Sequence, residues 1–171
     1  MLHNKLQNLN EKATSLIEEL SQSPPALLTR KPSPEKWSVL EIVEHLIISE
    51  ELFFAQIMNA ETNSGRKRTL KHRLLYKVVM FILGSPIRVK APSRRLLPAG
   101  NQTLEDLRKR WLVSQEGFLA WLNSEGEGID PEAALAWHPV AGPMTVLQAM
   151  DMVERHLMRH RVQIQALLAA N

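Results

Sequence analysis

A helix start is encoded in the stretch Trp37-Ser38-Val39-Leu40-Glu41-Ile42-Val43-Glu44-His45-Leu46. Ser38 and Glu41 have the Ser-x-x-Glu spacing of a capping box, in which each side chain accepts a hydrogen bond from the other residue's backbone N–H. Trp37 and Ile42 occupy the two positions of a hydrophobic staple. The apolar residues that follow recur every three or four positions, as on one face of an α-helix. The stretch therefore predicts an amphipathic helix whose apolar face points toward a core.

Three other long segments show the same helical periodicity. The first runs from Leu2 to Leu20 and stops at the proline-rich stretch 21–34. Another begins at Thr103, and the last begins at a second capping box, Thr145-x-x-Gln148. Four long amphipathic helices without a convincing alternating run predict an all-α fold, a four-helix bundle.

The region between the second and third long helices has a shorter apolar pattern. We expect the second helix to end between residues 59 and 65. Apolar residues then recur with helical spacing from Leu70 to Ile82, before Gly84 and Pro86, which predicts a short extra helix. A basic loop, residues 87–98, follows it. We predict that residues 1–171 form a single domain of this kind.

The composition excludes several classes of protein. Hydrophobic residues make up 44% of the chain and charged residues 23%, which is ordinary for a globular protein. No apolar run approaches the roughly 20 residues that a membrane-spanning helix needs, and the amino terminus lacks the apolar core of a signal peptide, so we expect a cytoplasmic protein. The chain has no cysteine, which excludes disulfides, cysteine-ligated zinc and a cysteine nucleophile.

The charge is distributed unevenly along the chain. Residues 66–95 contain ten Lys and Arg residues and no Asp or Glu, although the net charge of the whole chain is only +3. Such a segment is most often a solvated face, but it could also attract an anionic substrate, or contact nucleic acid or an anionic membrane. No nucleic-acid-binding motif is present. We therefore expect neither a nucleic acid nor a membrane as partner, but a small-molecule substrate, for which this charge favours an anion.

Three histidines form the pattern that points to chemistry. His156 and His160 are one helical turn apart on the core-facing stripe of the last helix. Two buried imidazoles without partners would be costly, and a metal ion bound by neutral imidazoles removes that cost. His45 lies on the apolar stripe of the second helix and could supply a third ligand. The i, i+4 spacing also arises by chance in helices, so the pair alone does not decide between metal binding and ordinary packing.

Several stretches resemble one known family, the DinB-like (YfiT-like) metal-dependent enzymes. The run from Pro34 to Leu46 is similar to the Trp-Ser-x-x-(acidic)-x-x-x-His-Leu start of that family's second helix. The run His138-Pro139-Val140-Ala141-Gly142-Pro143-Met144-Thr145, which leads to His156-x-x-x-His160-x-x-Gln163-Ile164, is similar to the entry to its fourth helix. The stretch Lys90-Ala91-Pro92 also resembles members of this family. The similarity covers most of the chain in matching order.

The resemblance implies a four-helix bundle with a three-histidine site for zinc, nickel or a similar divalent ion. The residues that match those ligands are His45, His156 and His160. Characterised relatives include transferases and isomerases that use low-molecular-weight thiols such as bacillithiol or mycothiol. Homodimers are frequent among similar proteins, but no interface can be read from this sequence.

These observations lead to a functional hypothesis with two rivals. The preferred function is a divalent-metal-dependent enzyme, with zinc or nickel on the three histidines and a low-molecular-weight thiol as the nucleophile, that is, a thiol S-transferase. A metal-dependent hydrolase is an alternative if water takes the open position. The other alternative is a non-catalytic bundle that binds a metal or a small ligand in stress response. No catalytic acid or base can be named from the sequence.

Other residues have simpler explanations. The capping box already accounts for Glu41, although the carboxylate could also approach the metal. We expect His138 to lie on a surface loop, although it could also line the mouth of the pocket. Gln163 could hydrogen-bond near His160 or be a polar residue at the edge of the core. His3 and His72 are expected to be exposed. The tryptophans at positions 37 and 111 are expected to be core or cap anchors, and the methionines at positions 150 and 152 to fill the core.

Overall fold

The computed structural model describes residues 1–59, 67–87 and 93–170. Within these residues four long helices form a bundle: α1 (Leu2–Ser21), α3 (Val39–Met58), α5 (Leu104–Leu122) and α6 (Val146–Ala169). The remaining elements are short: α2 (Pro25–Thr29), α4 (Leu70–Leu83), a 3₁₀ turn (Arg94–Leu96) and the strands β1 (Ala136–His138) and β2 (Gly142–Met144). The predicted all-α bundle, with a short extra helix between its second and third long helices, is confirmed. Arg66, Arg88 and the Lys90-Ala91-Pro92 stretch lie outside the described residues.

Local capping hydrogen bonds fix where the helices begin. Ser38 and Glu41 form both bonds of the capping box at the start of α3, as the sequence predicted. The same arrangement starts α6, where Thr145 pairs with Gln148. A further box starts α5, and His72 completes one at α4 that the sequence analysis missed. Each box satisfies two backbone N–H groups that would otherwise have no helical partner.

The order of the helices around the bundle explains the long connections. α1 packs against α5 and α6, and α3 packs against the same two helices. Consecutive helices α1 and α3, and likewise α5 and α6, therefore lie diagonally. A tight turn cannot make a diagonal connection, so residues 22–38 and 123–145 run across the ends of the bundle and contain α2 and the β-hairpin respectively.

One apolar cluster, to which all four long helices contribute, fills the bundle. At its centre the rings of Phe54 and Phe118 stack with centroids 4.0 Å apart. Met150 and Met152 are buried in the same cluster, as expected from the sequence.

Within the described residues no helix is long and apolar enough to span a membrane.

Two short elements were not anticipated from the sequence. The proline-rich stretch after α1 contains α2, which tolerates Pro25 because the first helical position needs no N–H donor. The segment before α6 contains an antiparallel hairpin in which Ala136 pairs with Met144. Gly142 has a φ of +73°, and a side chain there would collide with the ring of His72, which is 2.8 Å from the ideal Cβ position. Glycine therefore allows β2 to pack closely on α4.

The core also buries a carboxyl group. Glu50 on α3 is 1% exposed and accepts a hydrogen bond of 3.0 Å from Nε1 of Trp111. Its other carboxyl oxygen has no hydrogen-bond partner among the described residues. Burial raises the pKa of Glu50 to about 7, although Trp111 and Gln115 oppose the shift. Below about pH 7 the folded protein therefore favours the neutral acid.

This environment predicts a pH-dependent stability. The folded-state pKa of Glu50 lies above the unfolded value of about 4.5, so its contribution is fully present below that unfolded value and is lost as the pH rises through about 7. A shift of this size corresponds to about 3 kcal/mol. Glu50→Gln keeps the acceptor for Trp111, and its stability advantage over the wild type should grow by about 2–3 kcal/mol from pH 5 to pH 8. Urea unfolding at both pH values tests this; parallel pH dependences of the two proteins would contradict it.

Candidate metal centre

The three histidines predicted from the sequence meet between α3 and α6. His45 lies two turns after the Ser38 cap, on the side of α3 that packs against α6. His156 and His160 project from successive turns of α6. Each imidazole offers one nitrogen to the group, and these three nitrogens lie within 4.8 Å of one another. The fold thus brings together side chains that are more than 100 residues apart in sequence.

Two of the three nitrogen pairs have the spacing of neighbouring metal ligands. The Nε2 atom of His156 lies 3.2 Å from Nε2 of His45 and 3.0 Å from Nε2 of His160. Neighbouring nitrogen ligands on an ion with bonds of about 2.0–2.1 Å lie roughly 3.0–3.4 Å apart. The described residues add no carboxylate to this group.

Hydrogen bonds at the opposite edge of two rings fix their proton positions. Nδ1 of His45 donates to the carbonyl oxygen of Leu96 at 2.7 Å. Nδ1 of His160 donates to Oε1 of Gln163 at 2.9 Å, the contact that the sequence analysis had considered. A neutral imidazole has one proton, so both rings present an Nε2 lone pair to His156. His156 can donate its own proton to only one of them.

The surroundings keep the imidazoles uncharged. Burial lowers the pKa of His45, although the bond to Leu96 opposes the shift. Burial, reinforced by the two other histidines, lowers the pKa of His156 well below its ordinary value. Burial and His45 lower the pKa of His160 to about 4. Neutral imidazole is the form that binds a metal.

A buried carboxylate holds the segment that orients His45. Glu44 accepts hydrogen bonds from the backbone N–H of Gly100 at 2.9 Å and from Nε2 of Gln102 at 3.2 Å. Gly100 has a φ of +76°, and an ideal Cβ there would lie 2.9 Å from Oε1 of Glu41. This close packing places the Leu96 carbonyl against α3. The sequence analysis missed the bond from His45 to the Leu96 carbonyl, because a backbone carbonyl has no residue-type signature. It also missed the role of Glu44 in holding this segment.

The sequence analysis gave structural roles to two neighbours of His45, Glu41 and Trp37. Glu41 accepts from the Ser38 N–H at 2.8 Å and from Nζ of Lys31 at 2.6 Å, so its capping role is confirmed. These bonds hold the pKa of Glu41 below its usual value against the opposing effect of burial. Trp37 was expected to be only a core or cap anchor. Its half-buried ring lies 4.8 Å from that of His45, so it also limits the orientation of this imidazole.

The remaining histidines occupy different surroundings. His138 is half-buried in β1 and not on a surface loop as expected, and its Nδ1 accepts from the N–H groups of Val140 and Ala141, both at 3.1 Å. It interacts electrostatically with His156. His72 is also half-buried, against the expectation of exposure, whereas His3 is exposed as expected.

An arginine between the two α6 histidines ties this turn to α4. The Arg159 guanidinium donates to the carbonyl oxygens of Ile82 at 2.8 Å and Ser85 at 2.7 Å, and also to that of Ile87. Ile82 lies in the last turn of α4, where carbonyl groups lack helical partners, and Ser85 and Ile87 lie just after the helix. The turn that carries two of the clustered histidines is therefore anchored from a second side.

These features fit a divalent metal ion. Three uncharged imidazoles direct nitrogen lone pairs to a common region, and one shared proton cannot satisfy them all. Histidine nitrogens are suitable ligands for zinc and nickel. Three protein ligands leave at least one coordination position for an exogenous group.

The comparisons with known proteins agree with this site. A family model described as the DinB superfamily matches residues 6–164. This chain belongs to the DinB superfamily. It is also 30% identical over 165 residues to the uncharacterised protein YuaE of Bacillus subtilis (strain 168), a match that covers 91% of this chain and 92% of YuaE. No solved structure matches it. The DinB superfamily is typically metal-dependent, which agrees with the three-histidine cluster of this member.

The cluster predicts metal binding by this DinB-superfamily chain. Untagged protein incubated with zinc or nickel and dialysed should retain about one equivalent of metal by plasma mass spectrometry. His45→Ala and His160→Ala should each lose it, whereas His3→Ala should not, because His3 lies outside the cluster. Circular dichroism shows whether each variant is folded; the half-buried His160 provides a second test if the His45 variant is unstable. Retention of metal by a folded His160→Ala variant would contradict the assignment.

The contact between Gln163 and His160 makes a finer prediction. Partners that orient a ligand histidine typically change metal affinity by 10–100-fold when they are removed. We expect Gln163→Ala to weaken metal binding by roughly tenfold in a chelator competition. Gln165→Ala is the matched control, because Gln165 bonds to Glu19 on α1 and not to a histidine. Equal affinities in the two variants would mean that Gln163 does not orient the ligand.

Proposed function

We propose that this chain is a divalent-metal-dependent enzyme that transfers a low-molecular-weight thiol to an electrophile. His45, His156 and His160 would hold the ion, with zinc or nickel as the preferred metals. The observation that carries the proposal is the convergence of three Nε2 atoms whose rings are neutral and, for two of them, fixed by a bond at Nδ1. A site built only for structural metal would use four protein ligands.

The bound ion would stabilise a thiolate at neutral pH, and so supply the nucleophile that a chain without cysteine lacks. In the reaction a sulfur–carbon bond forms while the bond from that carbon to its leaving group breaks, and the thiol proton passes to solvent. Because the three histidines are neutral and no carboxylate of the described residues joins them, a site that holds a divalent ion would favour an anionic partner such as thiolate over a neutral one.

Basic side chains near the site favour an anionic thiol. Arg94 and Arg95 are exposed in the 3₁₀ turn that ends at Leu96, whose carbonyl oxygen orients His45. Neither forms an ion pair with a described residue. Unpaired cations beside a buried site raise the local concentration of anions. This supports a substrate that carries a carboxylate or phosphate in addition to its thiol.

His138 supplies a polar group beside the cluster. Its Nδ1 accepts two backbone hydrogen bonds, so the single proton of the neutral ring is on Nε2. Burial lowers the pKa of His138 and favours this neutral form. Its interaction with His156 places it near the site. We assign it the role of a hydrogen-bond donor to the substrate.

A thiol-transfer assay tests the proposal. The metal-loaded protein is given 1-chloro-2,4-dinitrobenzene and either an anionic thiol, such as mercaptosuccinate, or the neutral 2-mercaptoethanol. We expect saturable, metal-dependent turnover that falls roughly a hundredfold or more in His160→Ala, with His3→Ala as the control. Arg94→Gln with Arg95→Gln should raise KM for the anionic thiol only.

The same assay separates the alternatives. Turnover that persists in the folded His160→Ala variant would refute the mechanism. Metal binding that raises Tm without turnover of any thiol would favour the non-catalytic bundle. Metal-dependent cleavage of an ester or amide probe, without thiol transfer, would favour a hydrolase.

A further inference from the structure

The outer face of α4 is apolar and exposed. Its side chains recur at spacings of four, four and three residues, which places them on one stripe of the helix. The stripe consists of Leu70 (81% exposed), Leu74 (63%), Val78 (44%) and Phe81 (69%). The opposite side of α4 packs on the protein through buried Val79 and half-buried Tyr76. The apolar character of this outer face is therefore not needed for the fold of the bundle. We call these four residues the α4 stripe.

Cations flank the α4 stripe on both sides. On a helical projection Lys71 lies on one flank, and Arg73 and Lys77 lie on the other. All three are exposed, as is Lys67 just before the helix. None of these four forms an ion pair with a described residue. The sequence contains no Asp or Glu from residue 62 to residue 104 that could neutralise them locally.

The neighbouring chain segments have the wrong composition to cover the stripe. Residues 60–66 contain no large apolar side chain, and residues 88–92 contain only Val89. A second copy of the same helix would bury the apolar side chains, but it would also bring an identical set of unpaired cations to the contact. A nucleic acid would pair with the cations and gain nothing from four large apolar side chains.

An anionic lipid bilayer satisfies both features. Helices that lie in the membrane interface combine Leu and Phe on one face with Lys and Arg beside it. The long lysine side chains can reach the headgroups while the apolar side chains enter the acyl boundary. We propose that the α4 stripe and its flanking cations bind the surface of an anionic bilayer, with α4 parallel to the membrane plane. In this arrangement the protein would associate peripherally with the membrane.

This surface revises the expectation drawn from composition. The sequence analysis weighed the charge of residues 66–95 alone and expected no membrane partner. The structure adds the exposed apolar stripe between the cations, which charge alone could not reveal. The proposal does not depend on the metal centre, because none of the clustered histidines lies on α4.

Vesicle flotation tests the proposal with the full chain. Vesicles of phosphatidylcholine alone are compared with vesicles that also contain phosphatidylglycerol. We expect binding to the anionic vesicles only, with weaker binding at higher salt. Leu74→Ser with Phe81→Ser should reduce the bound fraction at least several-fold, and so should Lys71→Gln with Lys77→Gln.

Matched controls come from α5. Val113 is 68% exposed and Lys109 is also exposed, but both lie away from α4 in a chain segment with nearby acidic residues. Val113→Ser and Lys109→Gln should leave vesicle binding unchanged. Because the substituted side chains are all exposed, circular dichroism and Tm should confirm that each variant keeps the fold.

Three results would overturn the proposal. The first is no binding to anionic vesicles at low salt. The second is binding that the charge variants abolish and the stripe variants leave unchanged, which would mean adsorption of a basic surface without insertion. The third is a dimer in solution that Leu74→Ser with Phe81→Ser dissociates, without vesicle binding by either protein, which would make the stripe an interface between two copies.

Discussion

The burial of three uncharged imidazoles between α3 and α6 is the constraint on which the site depends. Burial keeps the rings neutral, so each keeps a lone pair. Packing the three Nε2 atoms together would give the neutral rings little hydrogen-bond energy, because only one proton is available for the two contacts of His156. The surrounding contacts, from the Leu96 carbonyl, Gln163 and the Trp37 ring, determine the orientations that make this meeting possible.

The connections between the long helices surround the metal centre with further residues. The diagonal step from α5 to α6 requires a long connection, and this connection holds the hairpin with His138. The connection from α3 to α5 carries the 3₁₀ turn, which Glu44 draws onto α3 through Gly100. The hairpin therefore follows from the diagonal order of α5 and α6, whereas the 3₁₀ turn lies on a connection between two neighbouring helices and is held against α3 by Glu44.

The sequence predicted the parts of this structure that depend on local chemistry. The starts of α3 and α6 were correct because a capping box involves residues only three positions apart. The clustering of His156 with His160 followed from helical periodicity, and the family resemblance supported His45 as their partner. Whether these histidines bind a metal remains a prediction, as does the single-domain organisation.

The parts that were missed depend on contacts between distant residues. The Leu96 carbonyl reaches His45 across 51 positions and involves no side chain of Leu96. The β-strands are three residues long, too short to show an alternating pattern. Periodicity predicted α4 correctly but could not reveal that its most regular apolar stripe faces outward.

Arg159 shows how the metal centre and α4 are joined. Its backbone lies between the two histidines of α6, and its guanidinium donates to three carbonyl groups in the last turn of α4 and just after it. The same positive charge lowers the pKa of His156 and His160, in addition to the larger effect of burial. Because a lysine has no planar group with several fixed donors, it could supply the charge without holding all three carbonyls. One arginine therefore connects the position of α4 to the protonation of the candidate ligands.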